Sequence, residues 1–303
     1  MTAVELDPAV VAEQYRDQVR AQVQRLANGG RSLRVVGLLG RDSGPAATYA
    51  RYAAKGFGSM GIEFDLRKVA APEVQPAIAD ANNDPAVDGV FLYYPLIDRP
   101  QDRWLRELVD PRKDMEGMHS FWSRLLYENQ RYVDPDRTLR AILPCTPLAI
   151  LKLLDYAGMR GSGSSAPLEG VTACVINRSD IVGRPLAAML ANDGARVHSL
   201  DVDGSVTFEP AIGRHAHDLH ESGIDRASAL AASDVVISAV PSRDFEPIRG
   251  EEIRPGAICV DVAEFTNFDP SVRDRASVFI PRVGPMTIAM AGRNLTRLAA
   301  LRR

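Results

Sequence analysis

The sequence is short of most residues that build specialised folds. It has 3 cysteines, Cys145, Cys174 and Cys259, in 303 residues. They are too few and too scattered for a disulfide framework or a metal cluster, and they point to a reducing compartment. No apolar stretch approaches the ~18 residues of a membrane span. The first residues, MTAVELDPAVVAEQYRDQ, carry early acids and no apolar core, so no signal peptide is expected. Neither sign of charge dominates: 36 basic and 39 acidic residues are interspersed, giving a net charge of -3. Nothing in that balance suggests a nucleic-acid-binding surface. Internal repeats are absent, and the one low-complexity tract is GSGSS at 161–165. What remains is an ordinary composition, 46% hydrophobic and 25% charged, on a chain just past the size of a single core. A soluble cytoplasmic protein of two domains is expected.

The apolar spacing alternates between helix and strand. Val10, Val11, Tyr15, Val19, Val23 and Leu26 recur at mostly three- and four-residue steps, which predicts a helix within 5–28 ended by Asn28-Gly29-Gly30. LRVVGLLG reads as a buried strand, 46–60 as a helix, IEFDLRKV as an alternating strand, 73–82 as a short helix and DGVFLYYPL as a second buried strand. After Pro144 the rhythm resumes: PLAILKLLDYA a helix, GSGSSA a flexible insertion, VTACVIN a strand, GRPLAAMLANDG a helix and ARVHSLDV a strand. DVVISAV and GAICVDVA read as further strands, and PMTIAMAGRNLTRLAALRR as a final helix. Residues 203–225 read as an irregular insertion. The βαβ rhythm predicts an α/β fold with mostly parallel sheets.

VTACVIN, the turn NRSDIVGRP and the following helix form the opening of a nucleotide-binding unit. The turn lacks G-x-G-x-x-G, and Gly183 is its only glycine. Amides near Ile181, Val182 and Gly183 at a helix start suit a pyrophosphate, and Pro185 suits a first turn. Arg178 sits in the turn, where a guanidinium reaches phosphate or stacks on adenine; a solvated loop arginine explains the spacing equally well. Asp201 follows Gly183 by 18 positions at a strand end. An acid there accepts from ribose hydroxyls and repels a 2′-phosphate, favouring NAD over NADP. A helix cap or solvated acid is the plain alternative, and Asp203 competes for the role.

Six blocks, in order, carry a resemblance to a known family: TYARYAAKGFGSMGI, DGVFLYYPL, RKDMEGMHSF, ILPCTPLAI, NRSDIVGRPLAAML and RVGPMTIAM. Over nearly its whole length the chain resembles the methylenetetrahydrofolate dehydrogenases, most of all the monofunctional NAD-dependent branch known from fungi. The resemblance implies hydride transfer from 5,10-methylenetetrahydrofolate to NAD, no metal and a homodimer. It implies an N-terminal αβα folate domain, 1–146 joined by 285–303, and a Rossmann-type NAD domain, 147–284. The small-residue helix LAAMLANDGA supports a dimer only loosely, since such a face also suits intradomain core.

The same resemblance supplies site residues. Tyr49 matches the tyrosine that stacks on the folate. Bifunctional members carry a cyclohydrolase lysine four residues later; here that position is Ala53. Lys55 is turned about 200° from Ala53 on a helix and is expected to be peripheral. Tyr93 replaces the glutamine that assists that lysine. Glu116 stands where the family usually has an aspartate that binds the pterin edge. Tyr49, Tyr93, Asp114 and Glu116 are the implied catalytic set, with Lys55 and Cys145 as further candidates. Pro95, Gly284, Pro285 and Thr287 join Tyr49, Tyr93 and Glu116 as implied folate contacts. Arg178, Ser179, Ile181, Val182, Gly183, Arg184, Asp201, Val202, Val240, Pro241, Val262 and Ala263 are the implied NAD contacts. Pro281-Arg282 stands where the family has paired glycines; Arg282 meets the folate glutamate tail or is solvated.

Several readings stay open at this level. Cys145 is a nucleophile or buried packing, though hydride transfer needs no nucleophile. His215, His217 and His220 are a metal site or an insertion loop, and their spacing lacks the regularity of a helical pair. The alternatives to a monofunctional dehydrogenase are a bifunctional enzyme in which Lys55 takes the missing role, and a non-catalytic NAD- or folate-binding regulator.

Overall fold

The computed structural model describes residues 2–159, 166–211 and 216–301. The GSGSS tract and His215 lie outside the described residues. In chain order the elements are β1 (Val4–Glu5), α1 (Pro8–Asn28), β2 (Arg34–Leu39), α2 (Pro45–Ser59), β3 (Glu63–Lys68), α3 (Val74–Asn83), β4 (Gly89–Tyr93), α4 (Arg99–Leu105), α5 (Ser120–Tyr127) and α6 (Cys145–Tyr156). Then follow β5 (Thr172–Ile176), α7 (Gly183–Asn192), β6 (Arg196–Asp201), β7 (Gly204–Pro210), β8 (His217–Ser222), α8 (Arg226–Ala232), β9 (Val235–Ser238), β10 (Ile258–Asp261), β11 (Val278–Pro281) and α9 (Gly284–Leu301). None of the described helices is long and apolar enough to cross a membrane.

The chain forms two compact units. The first comprises Met1–Val11, Leu126–Gln130 and Thr146–Met286; the second comprises Ala12–Leu125, Arg131–Cys145 and Thr287–Arg303. The chain's start joins the first unit because β1 pairs in parallel with β11, Val4 opposite Val278 and Glu5 opposite Phe279.

The first unit is built on one sheet in the order β1-β11-β10-β9-β5-β6-β7-β8. It is parallel from β1 to β6, and β7 and β8 continue it antiparallel. Residues 203–225, expected to be an irregular insertion, therefore contain two strands. Only β7 shows an apolar signal, in Val206 and Phe208; β8 reads HDLHES and pairs through its backbone. Cys174 on β5 and Cys259 on β10 are fully buried in the core with Val236, Ile248, Phe268 and Phe279. Burial pushes both thiols up to about 12.

The second unit holds a three-stranded parallel sheet in the order β3-β2-β4. One face is closed by Val36, Leu38, Val74, Ile78 and Leu92. Along α2 the buried positions are Ala47, Ala50, Ala53 and Phe57. Three alanines let the helix sit close to the sheet, and Pro45 at its first position fixes the entry. Gly37 on β2 has no Cβ because one would lie 2.6 Å from the Phe64 ring and 3.1 Å from the Tyr93 ring.

Candidate functional site

The second unit gathers an aromatic and acidic cluster at the end of β4. Tyr49 on α2 meets the Tyr93 ring edge-on, with centroids 6.0 Å apart and planes at 68°. Phe91 stacks on Tyr93 at 4.8 Å. Alternation explains the pair: residues two apart on a strand share a face. The hydroxyls of Tyr49, Tyr93 and Tyr94 are buried and make no hydrogen bond among the described residues. Buried hydroxyls are ordinarily satisfied, so the two orphans on Tyr49 and Tyr93, whose rings touch, mark a surface that suits a polar ligand, while Tyr94 packs against the other cluster with Val36 and Leu38. Burial raises all three phenols well above their usual range, so none serves as an acid at neutral pH.

Glu116 lies against this cluster. Its Oε2 accepts the Leu92 amide at 2.8 Å, which pins the carboxylate to β4. Burial pushes its carboxyl well up; the Leu92 amide and the Arg106 charge oppose the rise, while Asp114 adds to it. Asp114, implied by resemblance to be catalytic, is engaged by its own loop. It is buried, and its two oxygens accept the amides of Glu116, Gly117, Met118 and His119 at 2.7–3.1 Å. A carboxylate taking four backbone donors braces the loop that carries Glu116. Lys113 is likewise structural: its Nζ donates to the carbonyls of Ala81, Asn82 and Asp84, the end of α3.

Cys145 is a buried free thiol that donates to the Met115 carbonyl at 3.2 Å. Burial, with Glu116 and Asp114 nearby, raises its thiol well above normal, the opposite of an activated nucleophile. Ala53 is fully buried on the Tyr49 face of α2, whereas Lys55 is exposed. Pro95 is exposed, beyond the cis Tyr94–Pro95 bond. Thr287 is buried within α9.

Asn294, which sequence reasoning missed, is fully buried and donates to the carbonyls of Met115 at 3.0 Å and Leu143 at 2.9 Å. It ties α9 to the loop beside Glu116. The available signal was an amide among the apolar residues of that helix.

In the first unit the candidate residues lie at the C-terminal ends of β5, β6, β9 and β10. The chain leaves β5 towards β6 on one side and β9 on the other, the switch point at which open α/β sheets bind ligands. Asn177 turns the chain with a φ of 82°. A Cβ on Gly183 would lie 1.7 Å from the Asn177 carbonyl oxygen, so only glycine closes this turn. The amides of Val182 and Gly183 reach the Ser179 hydroxyl at 3.3 and 3.5 Å, long contacts that a phosphate oxygen would improve upon. Arg184 lies over the Tyr127 ring at 5.6 Å.

Asp201 ends β6; its Oδ2 accepts the Arg178 amide at 2.6 Å and its Oδ1 the Val202 amide at 2.7 Å. Each oxygen keeps a further lone pair for a hydroxyl donor. Arg178 is committed further than expected: its guanidinium donates to the carbonyls of Ser199 and Gly204 at 3.0 and 3.2 Å, bracing the β6–β7 turn. Val202 is 97% exposed, an apolar face left bare beside Asp201. Asp203 is exposed on the turn.

Val240 and Pro241 follow β9, and Val262 and Ala263 follow β10. Asn267 bolts these ends together: its Oδ1 accepts from the Ser238 hydroxyl and the Val240 amide, and its Nδ2 donates to the Val240 carbonyl. Nothing in local spacing marks this buried amide. Asp261 Oδ2 accepts the Asn267 amide, while its Oδ1 is buried with no partner. Burial pushes the Asp261 carboxyl up to about 6. Gly284 and Pro285 open α9, close in sequence to Arg282, whose φ is 50° and whose amide donates to the Asp261 carbonyl.

His217 Nδ1 donates to Asn192 Oδ1 at 2.9 Å, and the ring lies against that of Phe208. His220 lies on the exposed strand β8. Among the described residues no group of three histidine, cysteine or acidic side chains is arranged to hold a metal.

Comparison with known proteins assigns both parts of the chain to one family. Residues 6–116 match the tetrahydrofolate dehydrogenase/cyclohydrolase catalytic domain, and residues 144–303 match the NAD(P)-binding domain of the same family. The methylenetetrahydrofolate dehydrogenase [NAD(+)] of Schizosaccharomyces pombe is 37% identical over 295 residues, covering 96% of this chain and 91% of that protein. The structure of the NAD-dependent 5,10-methylenetetrahydrofolate dehydrogenase of Saccharomyces cerevisiae superposes with a TM-score of 0.93 at 35% identity, over 99% of this chain and 98% of the other. The bifunctional FolD dehydrogenase/cyclohydrolase of Campylobacter jejuni superposes at 0.81 with 26% identity, over 99% and 100% of the two chains. The chain belongs to the tetrahydrofolate dehydrogenase/cyclohydrolase family.

Proposed function

We propose that this protein is an NAD-dependent methylenetetrahydrofolate dehydrogenase that does not hydrolyse its methenyl product. The observation that carries the second half is Ala53. It is fully buried on the α2 face it shares with Tyr49, and it has no titratable group. Water activation needs an acid or base within hydrogen-bond reach. Around it stand phenols raised far above neutrality and Lys55 turned to solvent.

NAD, when bound, accepts the hydride at nicotinamide C4. The chain's own residues position and stabilise. Tyr49 and Tyr93 offer aromatic edges and unsatisfied hydroxyls to the folate rings. Glu116, held by Leu92, accepts from the amide and amino edge of the pterin. A pterin donor pair beside it favours the ionised form, and that negative charge suits a product that is a cation. Asp114 and Asn294 keep the Glu116 loop in place. In the nucleotide unit the Asn177–Gly183 turn admits a pyrophosphate, and Asp201 accepts from the ribose hydroxyls. Val202, Val240, Pro241, Val262 and Ala263 flank the bases. We assign the folate role to 1–146 with 285–303 and the NAD role to 147–284. Family resemblance and the buried free cysteines support a cytoplasmic homodimer.

The test is turnover of purified protein with each nicotinamide cofactor, with added methenyltetrahydrofolate followed separately. NAD turnover with the methenyl compound decaying at the buffer rate is expected. Enzymatic hydrolysis above that rate would overturn the monofunctional assignment.

A further inference from the structure

Three arginines of the second unit stand together without an acid. Arg293 and Arg297 are one turn apart on α9 and share a face. Arg140 faces them from the segment in which Tyr132 and Arg140 form a β-bridge. Two of the guanidiniums are held by rings: Arg140 lies 5.0 Å from the Tyr132 centroid and Arg293 lies 6.0 Å from that of Tyr15. Arg293 and Arg297 are half-buried. Among the described residues none of the three makes an ion pair. On the flanking segments Glu13 and Asp17 pair with Arg16 and Arg20, and Asp134 accepts from Thr138 and the Leu139 amide.

We propose that Arg140, Arg293 and Arg297 form a binding site for a phosphate group, free or on a small phosphate ester. Like charges repel most where water is displaced, so the half-buried pair Arg293 and Arg297, with the exposed Arg140 at its rim, is unfavourable unless an anion completes it. Burial first, and then the charges of Arg293 and Arg140, lower the Arg297 guanidinium to about 10. A phosphate carries a charge of roughly -1.5 to -2 and three acceptor oxygens near neutrality, enough to engage three guanidinium forks; a lone carboxylate is not. Nothing in the proposed reaction uses these residues, so the inference stands apart from it.

The test is thermal unfolding of the full chain at constant ionic strength with saturating NAD, which keeps the nucleotide turn occupied. Chloride, inorganic phosphate, glycerol 3-phosphate and acetate are compared. Wild type is expected to melt higher in phosphate or its ester than in chloride or acetate. A tighter response to the ester identifies an ester ligand, and an equal response identifies free phosphate. Arg293→Gln and Arg297→Gln should each weaken the apparent phosphate affinity about tenfold or more. In chloride both variants should melt higher than wild type, because repulsion is relieved; a packing role would instead lower them under every condition. No phosphate response in wild type, or an undiminished response in both variants, would overturn the proposal.

Discussion

The two candidate sites are made of different material. The nucleotide turn is backbone: Asn177 in a left-handed conformation, Gly183 against its carbonyl, and amides converging on the Ser179 hydroxyl. The proposed folate cluster is side chain: orphaned phenols, a carboxylate pinned to one amide, and an alanine. A backbone site fails when an atom is added. A side-chain site fails, or changes its chemistry, when a functional group is removed or replaced.

Adding an atom is therefore expected to have the largest effect. In Gly183→Val the new Cβ meets the Asn177 carbonyl oxygen at 1.7 Å, and the turn must open. Displacement on that scale should lower kcat/KM for NAD about a hundredfold or more. Circular dichroism should show the fold retained; unchanged NAD kinetics would contradict the turn's role. Next comes Glu116→Gln. Loss of a half-buried charged acceptor should lower kcat/KM for the folate at least about thirtyfold, with KM for NAD little changed. An equal loss for both substrates would point to damage to the loop and not to a folate contact.

Asp201→Ser comes third. Removing a charged acceptor for the ribose should raise KM for NAD about tenfold and narrow the preference over NADP. Unchanged values for both would remove Asp201 from the site. Asp261→Asn tests electrostatics at the β10 end. The folded-state carboxyl is raised to about 6 from an ordinary 3.8. The folded protein therefore binds more protons than the unfolded chain in that window, and stability falls as pH rises through it. The asparagine variant escapes this loss. Its stability relative to wild type should improve by on the order of 1–3 kcal/mol between about pH 4 and pH 7, read from urea midpoints. A gap that does not change with pH would contradict the assignment. The smallest effect is expected for Lys55→Ala, which should leave both hydride transfer and product decay unchanged.

How far the sequence reveals this molecule also differs between the regions. Fully buried strands such as β2, β4, β5, β9 and β10 are short apolar runs, so their existence is plain. β8 is a polar strand held by cross-strand pairing, and no residue pattern announces it. β11, Val278–Pro281, is an apolar run of the same length as β9 and β10, and it is not among the strands expected from the sequence. Tyr49 and Glu116 are proposed from the family resemblance, and Gly183 and Asp201 from the turn and its spacing to the next strand end. What escaped were the braces. Asp114 reads as a reactive acid until its four amide donors are seen. Asn267 and Asn294 act across long sequence separations, and only the folded chain shows what they hold. Arg178 reads as a ligand contact, yet its guanidinium is engaged by two carbonyls.

The central claim is hydride transfer to NAD beside a site stripped of its water-activating group. It is tested most directly by following one reaction mixture with methylenetetrahydrofolate and either NAD or NADP, recording reduced cofactor and methenyl product together over time. The account predicts much faster turnover with NAD, and methenyltetrahydrofolate that accumulates and then decays at the rate of buffer alone. Faster turnover with NADP, or methenyl product consumed above the buffer rate, would contradict it.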